Sequence, residues 1–157
     1  MSYLEQYVVA IEAGEIIVGQ ELTIVLKQLV NDLQDERYRY ELKRAHRRIA
    51  FIERFCKHTK SPFHGKPFLL ELWEKAFIEV VYGFLRRSTG KRRFKRVILL
   101  ISRKNGKSTL TAALAFTEMM MGSSGSVITC FTNANLYAEI LERATQKNKS
   151  EVKLELA

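Results

Sequence analysis

The sequence predicts an α/β protein in which a helical N-terminal segment precedes the first, incomplete βαβα portion of a parallel-sheet domain. Apolar residues recur at helical spacing through the first half of the chain. A short aliphatic run at 97–101, apolar on both faces, then indicates a buried strand and is followed by a helical pattern over 107–121. A second strand is predicted at 126–131 and a last helix at 135–146. This alternation implies parallel strands joined by a right-handed crossover.

The first half contains four predicted helices. Ser2 and Glu5 have the spacing of a capping box, which opens the first helix, and Gly14 ends that helix. Apolar spacing predicts three more helices, over about 22–33, 38–57 and 69–84. Both prolines of the chain fall between the third and fourth helices, in the segment 61–67, which is therefore expected to be a turn.

Length and composition exclude several classes of protein. A chain of 157 residues with 46% hydrophobic residues is long enough to bury a core. No apolar run approaches the ~18 residues of a membrane span, so no membrane association is expected. Two cysteines, Cys56 and Cys130, and a start without an apolar leader exclude a secreted disulfide scaffold and favour a reducing cytoplasm.

The net charge of +9 is concentrated in two stretches of the chain. Residues 36–60 hold nine bases against three acids, and residues 86–107 hold ten bases and no acid. By contrast, residues 1–35 have a net charge of −5. Such clustering suggests a polyanionic partner, either nucleic acid or a phosphorylated ligand, although a solvated basic face with no partner gives the same pattern.

The most informative motif is the segment 102–109, Ser-Arg-Lys-Asn-Gly-Lys-Ser-Thr. It follows a predicted strand and opens a helix, which is the context of a phosphate-binding loop, or P-loop. Gly106 would allow a tight turn, Lys107 would reach the β- and γ-phosphates, and the Ser108 hydroxyl would bind Mg²⁺. The first glycine of the general pattern is replaced by Ile101. The alternative is a basic turn ended by Gly106, with Lys107 solvated.

At this loop the chain resembles a known family. Residues 92–109 are similar to the ATPase motif of the large terminase subunit of tailed bacteriophages, whose modified Walker A loop lacks the first glycine and contains an arginine, here Arg103. Upstream, the segments 51–56, 59–60 and 65–73, the last ending in Trp73, also resemble the family.

This resemblance implies an ATP-driven motor that packages double-stranded DNA into procapsids, with ATP and Mg²⁺ as cofactors. It assigns phosphate charge to Lys107, contact with the γ-phosphate to Arg103 and Mg²⁺ binding to Ser108. Trp73 would border the base. The nucleotide-binding positions implied in the loop are Ser102, Lys104, Asn105, Gly106, Lys107, Ser108 and Thr109. The expected partners are DNA, the portal protein and the small terminase subunit, with an oligomer on the portal in the host cytoplasm.

Two departures from the family pattern affect these expectations. Glu74 stands where terminases often have a glutamine that contacts adenine. The sequence after 126 contains no apolar strand ending in an acidic pair, so the Walker B acids and the nuclease domain are not represented. We therefore expect a helical segment at 1–65, a partial P-loop ATPase domain at 66–146 and an unmatched, disordered tail at 147–157. Such a chain alone should bind nucleotide weakly and turn over negligibly.

Two other functions fit parts of the sequence. A different P-loop NTPase, such as a small-molecule kinase, would need an acceptor lid and an acidic strand end, and neither is apparent. A non-enzymatic basic DNA-binding protein would make the Gly-Lys-Ser tripeptide incidental. The basic loop 86–96 would then follow DNA phosphates, or it would be a solvated loop. Cys56, His58 and His64 provide only three zinc ligands, and are better explained as core and surface residues.

Overall fold

A computed structural model describes residues 1–58, 61–95, 97–100, 105–122 and 153–155. Within them the chain mixes helices with short strands. The elements are, in order, α1 (Tyr3–Glu12), α2 (Gln20–Asn31), a 3₁₀ turn (Asp32–Gln34), β1 (Tyr38–Tyr40), α3 (Leu42–Phe55), α4 (Leu72–Gly83), β2 (Phe84–Arg86), β3 (Ile98–Leu100), α5 (Lys107–Met121) and β4 (Lys153–Glu155). None of the helices among these residues is long and apolar enough to cross a membrane.

The first helix begins and ends as its sequence predicts. The Ser2 hydroxyl oxygen accepts the Glu5 N–H at 3.2 Å, and the Glu5 carboxylate accepts the Ser2 N–H at 2.7 Å. These bonds from Ser2 lower the pKa of Glu5. After the helix, Gly14 adopts the left-handed conformation, with φ +75°. The predicted capping box is therefore confirmed.

Helix α4 is the centre of the fold, because it packs against α1 on one side and α3 on the other. One core cluster joins α1, α2 and α4 around residues such as Leu4, Leu29 and Val80. The second joins α3, α4 and α5 around Ile52 and others. Since α4 contributes to both clusters, the N-terminal helices and α5 are held by one continuous apolar interior.

The predicted third helix starts four residues too early. Residues 38–40 form β1, which pairs antiparallel with β2 in the register Tyr38↔Arg86 and Tyr40↔Phe84. The ring centres of Tyr38 and Tyr40 lie 6.3 and 4.6 Å from that of Phe84. The two tyrosines therefore lie on the same face of β1, where they pack against Phe84. The fourth helix is also shorter than predicted, since it spans Leu72–Gly83 and its last predicted residue, Phe84, begins β2.

The strand–loop–helix in the second half agrees with the prediction where the structure describes it. β3 lies within the predicted strand 97–101, and α5 has the predicted bounds. β3 pairs in parallel with β4, in the register Ile98↔Lys153 to Leu100↔Glu155. β4 falls in the segment 147–157, where a disordered tail was expected. The predicted strand 126–131 and helix 135–146 lie outside the described residues, so the complete βαβα order stays a prediction.

Candidate functional site

The loop between β3 and α5 leads into a left-handed glycine. Gly106 has φ +72° and stands at the N-cap of α5. A Cβ built there would meet no atom within 4 Å, so the backbone conformation, rather than crowding, favours glycine. Asn105, Gly106 and Ser108 are exposed, and Lys107 is half-buried. The predicted site residues Ser102, Arg103 and Lys104 lie outside the described residues.

The N-terminus of α5 is left uncapped by side chains. The first helical hydrogen bond runs from the Leu110 N–H to the Gly106 carbonyl at 2.9 Å. The N–H groups of Lys107, Ser108 and Thr109 precede that bond and have no partner within the helix itself. Together with the helix dipole, they make this end of α5 attractive to an anion. Lys107 adds a full positive charge and Ser108 a hydroxyl at the same place.

The other helices end differently at their N-termini. Acidic residues occupy the first turns of α1, α2 and α4, namely Glu5, Glu21 and Glu74. Helix α3 follows a glutamate, Glu41, at its N-cap. The first turn of α5 contains no acidic residue. In each described helix other than α5, therefore, the protein places its own carboxylate near the positive end of the dipole.

The far end of α5 is fixed by a buried ion pair that sequence analysis missed. Arg48 of α3 donates to the Glu118 carboxylate of α5 at 2.7 Å, with 8% and 6% of the two side chains exposed. The guanidinium of Arg48 lies 4.4 Å from the centre of the Tyr82 ring. Burial, with the Glu118 carboxylate adding to it, raises the pKa of Tyr82 to about 12. Each of the two charged residues lies beside the apolar stripe of its own helix. That position is the sequence signal from which their burial could have been suspected.

Trp73 is placed by packing in this structure. It is half-buried, contacts both core clusters and borders a cavity of about 20 Å³ between α1, α2 and α4. The cavity is lined by apolar and aromatic side chains, so it is expected to stay dry. These contacts give Trp73 a structural role, and its proximity to a nucleotide base stays a prediction.

Glu74 has a structural role of its own. Its carboxylate accepts the Glu71 N–H at 2.9 Å, and the Glu71 side chain caps the backbone of Glu74 in return. Only 4% of Glu74 is exposed. Burial, with the nearby Glu71 charge adding to it, raises the pKa of Glu74 to about 7. Because glutamine serves equally at this position of a capping box, the local structure accommodates both residues.

The basic loop 86–96 is partly used by the fold. Arg93 pairs with buried Asp32 at 2.6 Å and lies 4.1 Å from the centre of the Tyr38 ring. Arg87 donates to the Tyr38 carbonyl at 2.9 Å. Among the described residues of this loop, Arg86, Arg87, Lys91 and Lys95 are exposed. Arg93 is therefore a structural residue, and the exposed bases remain candidates for phosphate contact.

The described residues contain no group of three or more side chains able to hold a metal ion. Cys56 is half-buried, and burial raises the pKa of its thiol. The His58 ring makes an edge-to-face contact with the Phe68 ring, with ring centres 5.1 Å apart. Cys56 and His58 are thus accounted for by packing.

The comparisons with known proteins point to one family, and the matching region includes the loop 102–109. The family model for the ATPase domain of the terminase large subunit matches residues 72–156, from α4 through β4. The terminase large subunit of Enterobacteria phage HK97 is 37% identical over 79 residues, which are 50% of this chain and 14% of that protein. The chain thus aligns with about one seventh of that relative's length, and no solved structure matches it. Since the family model covers more than half of the chain and includes the loop 102–109, this chain belongs to the family of phage terminase large subunits and carries sequence of their ATPase domain.

Proposed function

We propose that this chain forms the phosphate-binding part of the ATPase that powers DNA packaging in tailed phages. The observation that carries the proposal is the N-terminus of α5, where a left-handed Gly106 precedes an uncapped first turn without acidic residues. This end follows β3, as a P-loop requires. The family match across the same residues supports the assignment.

The residues present suit a magnesium nucleotide. The N–H groups of the first turn of α5 would cradle phosphate oxygens, and half-buried Lys107 would neutralise charge on the β- and γ-phosphates. The exposed Ser108 hydroxyl would supply an oxygen ligand to Mg²⁺, a cation that prefers such ligands. When bound, Mg²⁺ supplies further neutralisation of the phosphates. Arg103 would contact the γ-phosphate, with Ser102, Lys104, Asn105 and Thr109 completing the loop.

The activity of a whole terminase is proposed here from family membership. ATP hydrolysis would drive duplex DNA through the portal of a procapsid in the host cytoplasm. The large subunit would act there as an oligomer, together with the small subunit. For this chain we propose a helical segment over 1–65 and a partial ATPase domain over 66–146. The exposed segment 61–67 lies at that boundary.

The test is nucleotide-dependent stability. Chemical unfolding of the chain is measured with and without Mg-ATP, for the wild type, Lys107→Ala and Lys91→Ala, which removes an exposed lysine of the basic loop. Ligand at 100 times its dissociation constant adds about 2.7 kcal/mol to the free energy of unfolding. We expect this gain in the wild type and Lys91→Ala, and its loss in Lys107→Ala. An equal gain in all three proteins would place the nucleotide elsewhere.

The same three proteins also test the alternative that the chain is a non-enzymatic, basic DNA-binding protein. If the Gly-Lys-Ser tripeptide is incidental, Mg-ATP leaves the unfolding of all three proteins unchanged. Repeating the measurement with ATP and a chelator isolates the contribution of Mg²⁺. Without Mg²⁺, we expect ATP to stabilise the chain less, because the phosphates are then neutralised by Lys107 and the loop alone.

A further inference from the structure

Helix α3 presents a basic face to solvent. Lys43, Arg47, Ala50 and Arg54 are exposed, and at 100° per residue they fall within an arc of about 60°. The three cations span about 16 Å along the helix axis at ~1.5 Å per residue. Ala50 lies between them, and its small side chain would not hinder the approach of a partner surface. We call this positively charged face, formed by Lys43, Arg47, Ala50 and Arg54, the α3 stripe.

Within the part of the chain that the structure describes, the cations of this stripe have no acidic partner. Among the described residues, no carboxylate lies within 4 Å of Lys43, Arg47 or Arg54, whereas other bases are paired with acids. The acid within α3, Glu53, is directed away from the stripe. Its carboxylate accepts the Leu70 N–H at 3.1 Å and pairs with Lys75 at 2.9 Å. The stripe thus keeps a charge of +3.

The opposite side of α3 is held firmly. Ala45, Ile49 and Ile52 are buried in the second core cluster. His46 contacts the buried Glu79 carboxylate at 2.5 Å, and Arg48 holds Glu118 as described above. Because these contacts hold the helix backbone in place, binding of a partner through the stripe requires ordering of only the three exposed side chains.

We propose that the α3 stripe binds the sugar-phosphate backbone of duplex DNA, independently of the nucleotide loop. Duplex DNA carries one negative charge per ~1.7 Å of its axis with both strands counted, so a length of duplex equal to the stripe carries about ten phosphate charges, and the stripe faces those on one side. The stripe itself offers no asparagine, glutamine or aromatic side chain for base contact, and its binding is independent of sequence. The neighbouring Phe51 and Phe55 rings lie 4.9 Å apart and pack on each other beside the stripe.

The experiment compares two triple variants of the full chain. One replaces Lys43, Arg47 and Arg54 with glutamine. The matched control replaces Lys27, Arg37 and Lys66 with glutamine, which removes the same charge from exposed positions outside α3. Binding to a labelled 30-base-pair duplex of arbitrary sequence is followed by fluorescence anisotropy between 50 and 200 mM salt. Unfolding curves of each protein verify that the fold is retained.

Each phosphate contact contributes about 0.9 to the slope of log K against log salt. We expect the α3 variant to lower that slope by about 2 to 3 and to weaken binding at low salt more than tenfold. The control should keep the wild-type slope, and so should Arg47→Lys with Arg54→Lys, which conserve charge. Equal losses in both triple variants, or an unchanged slope in the α3 variant, would overturn the proposal.

Two further results bear on the proposal. A single strand that binds more tightly than the duplex, and that depends on the same three cations, would assign the face to base stacking at Phe51 and Phe55 and overturn the duplex assignment. Lys107→Ala should bind DNA as the wild type does. A loss of DNA binding in Lys107→Ala would merge the stripe with the nucleotide loop and contradict their independence.

Discussion

Helices α4 and α5 both pack on α3, but their N-termini are completed in opposite ways. At α4, Glu71 and Glu74 cap each other's backbone, and Glu74 is almost fully buried. At α5, Gly106 contributes no side chain, the first turn carries no acidic residue, and Ser108 is exposed. At α4 the capping bonds come from the protein's own side chains, whereas the described residues supply no such side-chain cap at α5.

This difference separates a structural helix end from a candidate binding end. Both helices follow a non-helical segment and bury one face in the second core cluster, so hydrophobic packing alone does not distinguish them. What distinguishes them is how the N–H groups and the dipole of the first turn are satisfied. If that reasoning is right, changes at the two ends should affect different properties, namely stability at α4 and the response to nucleotide at α5.

The largest effect is expected from the ion pair that fixes α5 to α3. Arg48→Met leaves the buried Glu118 carboxylate without its guanidinium, which typically costs about 3 to 5 kcal/mol of unfolding free energy. Chemical denaturation measures the loss. Arg54→Met, on the exposed face of the same helix, should change stability by no more than about 0.5 kcal/mol.

A double variant sharpens this prediction. Replacing Arg48 with Met and Glu118 with Leu together removes both buried charges, so stability should recover most of the loss. A double variant as unstable as Arg48→Met alone would show that the cost came from packing against Tyr82 rather than from removing the guanidinium beside the Glu118 charge.

The second prediction concerns the capped end of α4. The pKa of Glu74 is about 7 in the folded protein, against an ordinary value of 4.5 for a glutamate. Because the folded pKa is the higher one, the unfolded chain releases this proton first, and stability falls as pH rises from about 4.5 to 7. Glu74→Gln removes that dependence and can keep the cap. Its advantage over the wild type should grow across this window to at most about 3 kcal/mol above pH 7.

The matched variant for this prediction is Glu74→Ala. It removes the same buried charge but also removes the acceptor of the Glu71 N–H, so its gain above pH 7 should be smaller by about 1 kcal/mol. Unfolding curves at pH 4, 6 and 8 measure both variants. A constant difference between Glu74→Gln and wild type at all three pH values would contradict the raised pKa.

Local signals predicted the start of α1 and both ends of α5, whereas the bounds of α3 and α4 and the long-range pairing were not predicted correctly. The capping box of Ser2 and Glu5 and the bounds of α5 were predicted because caps and glycines act within a few residues. The strand β1 was not predicted, because Tyr38–Tyr40 forms a strand by pairing with β2, which lies far along the chain. Similarly, Arg48 and Glu118 are separated by 70 residues, and a charge beside an apolar stripe reveals its role only when the partner is known.

The candidate site shows the same division. The segment 102–109 predicts phosphate binding from local sequence alone, because glycine, lysine and serine can act on a phosphate from adjacent positions. The burial of Glu74 and the pairing of Arg93 with Asp32 could not be predicted from neighbours in sequence, since each depends on how α4 and the tyrosines of β1 pack. Charge counts alone therefore overstated the number of bases available to a polyanion in 86–96.

The smallest effect on stability, and the sharpest test of the comparison, comes from two glycines. Gly106 and Gly14 both have positive φ, and a Cβ at either would meet no atom within 4 Å. Alanine at each position should therefore cost a similar amount, about 1 to 2 kcal/mol. Only Gly106 borders the proposed phosphate site, so Gly106→Ala should also lose most of the stabilisation by Mg-ATP, while Gly14→Ala keeps it. If the two variants respond alike to Mg-ATP in denaturation curves, the open end of α5 is no more specialised than the end of α1.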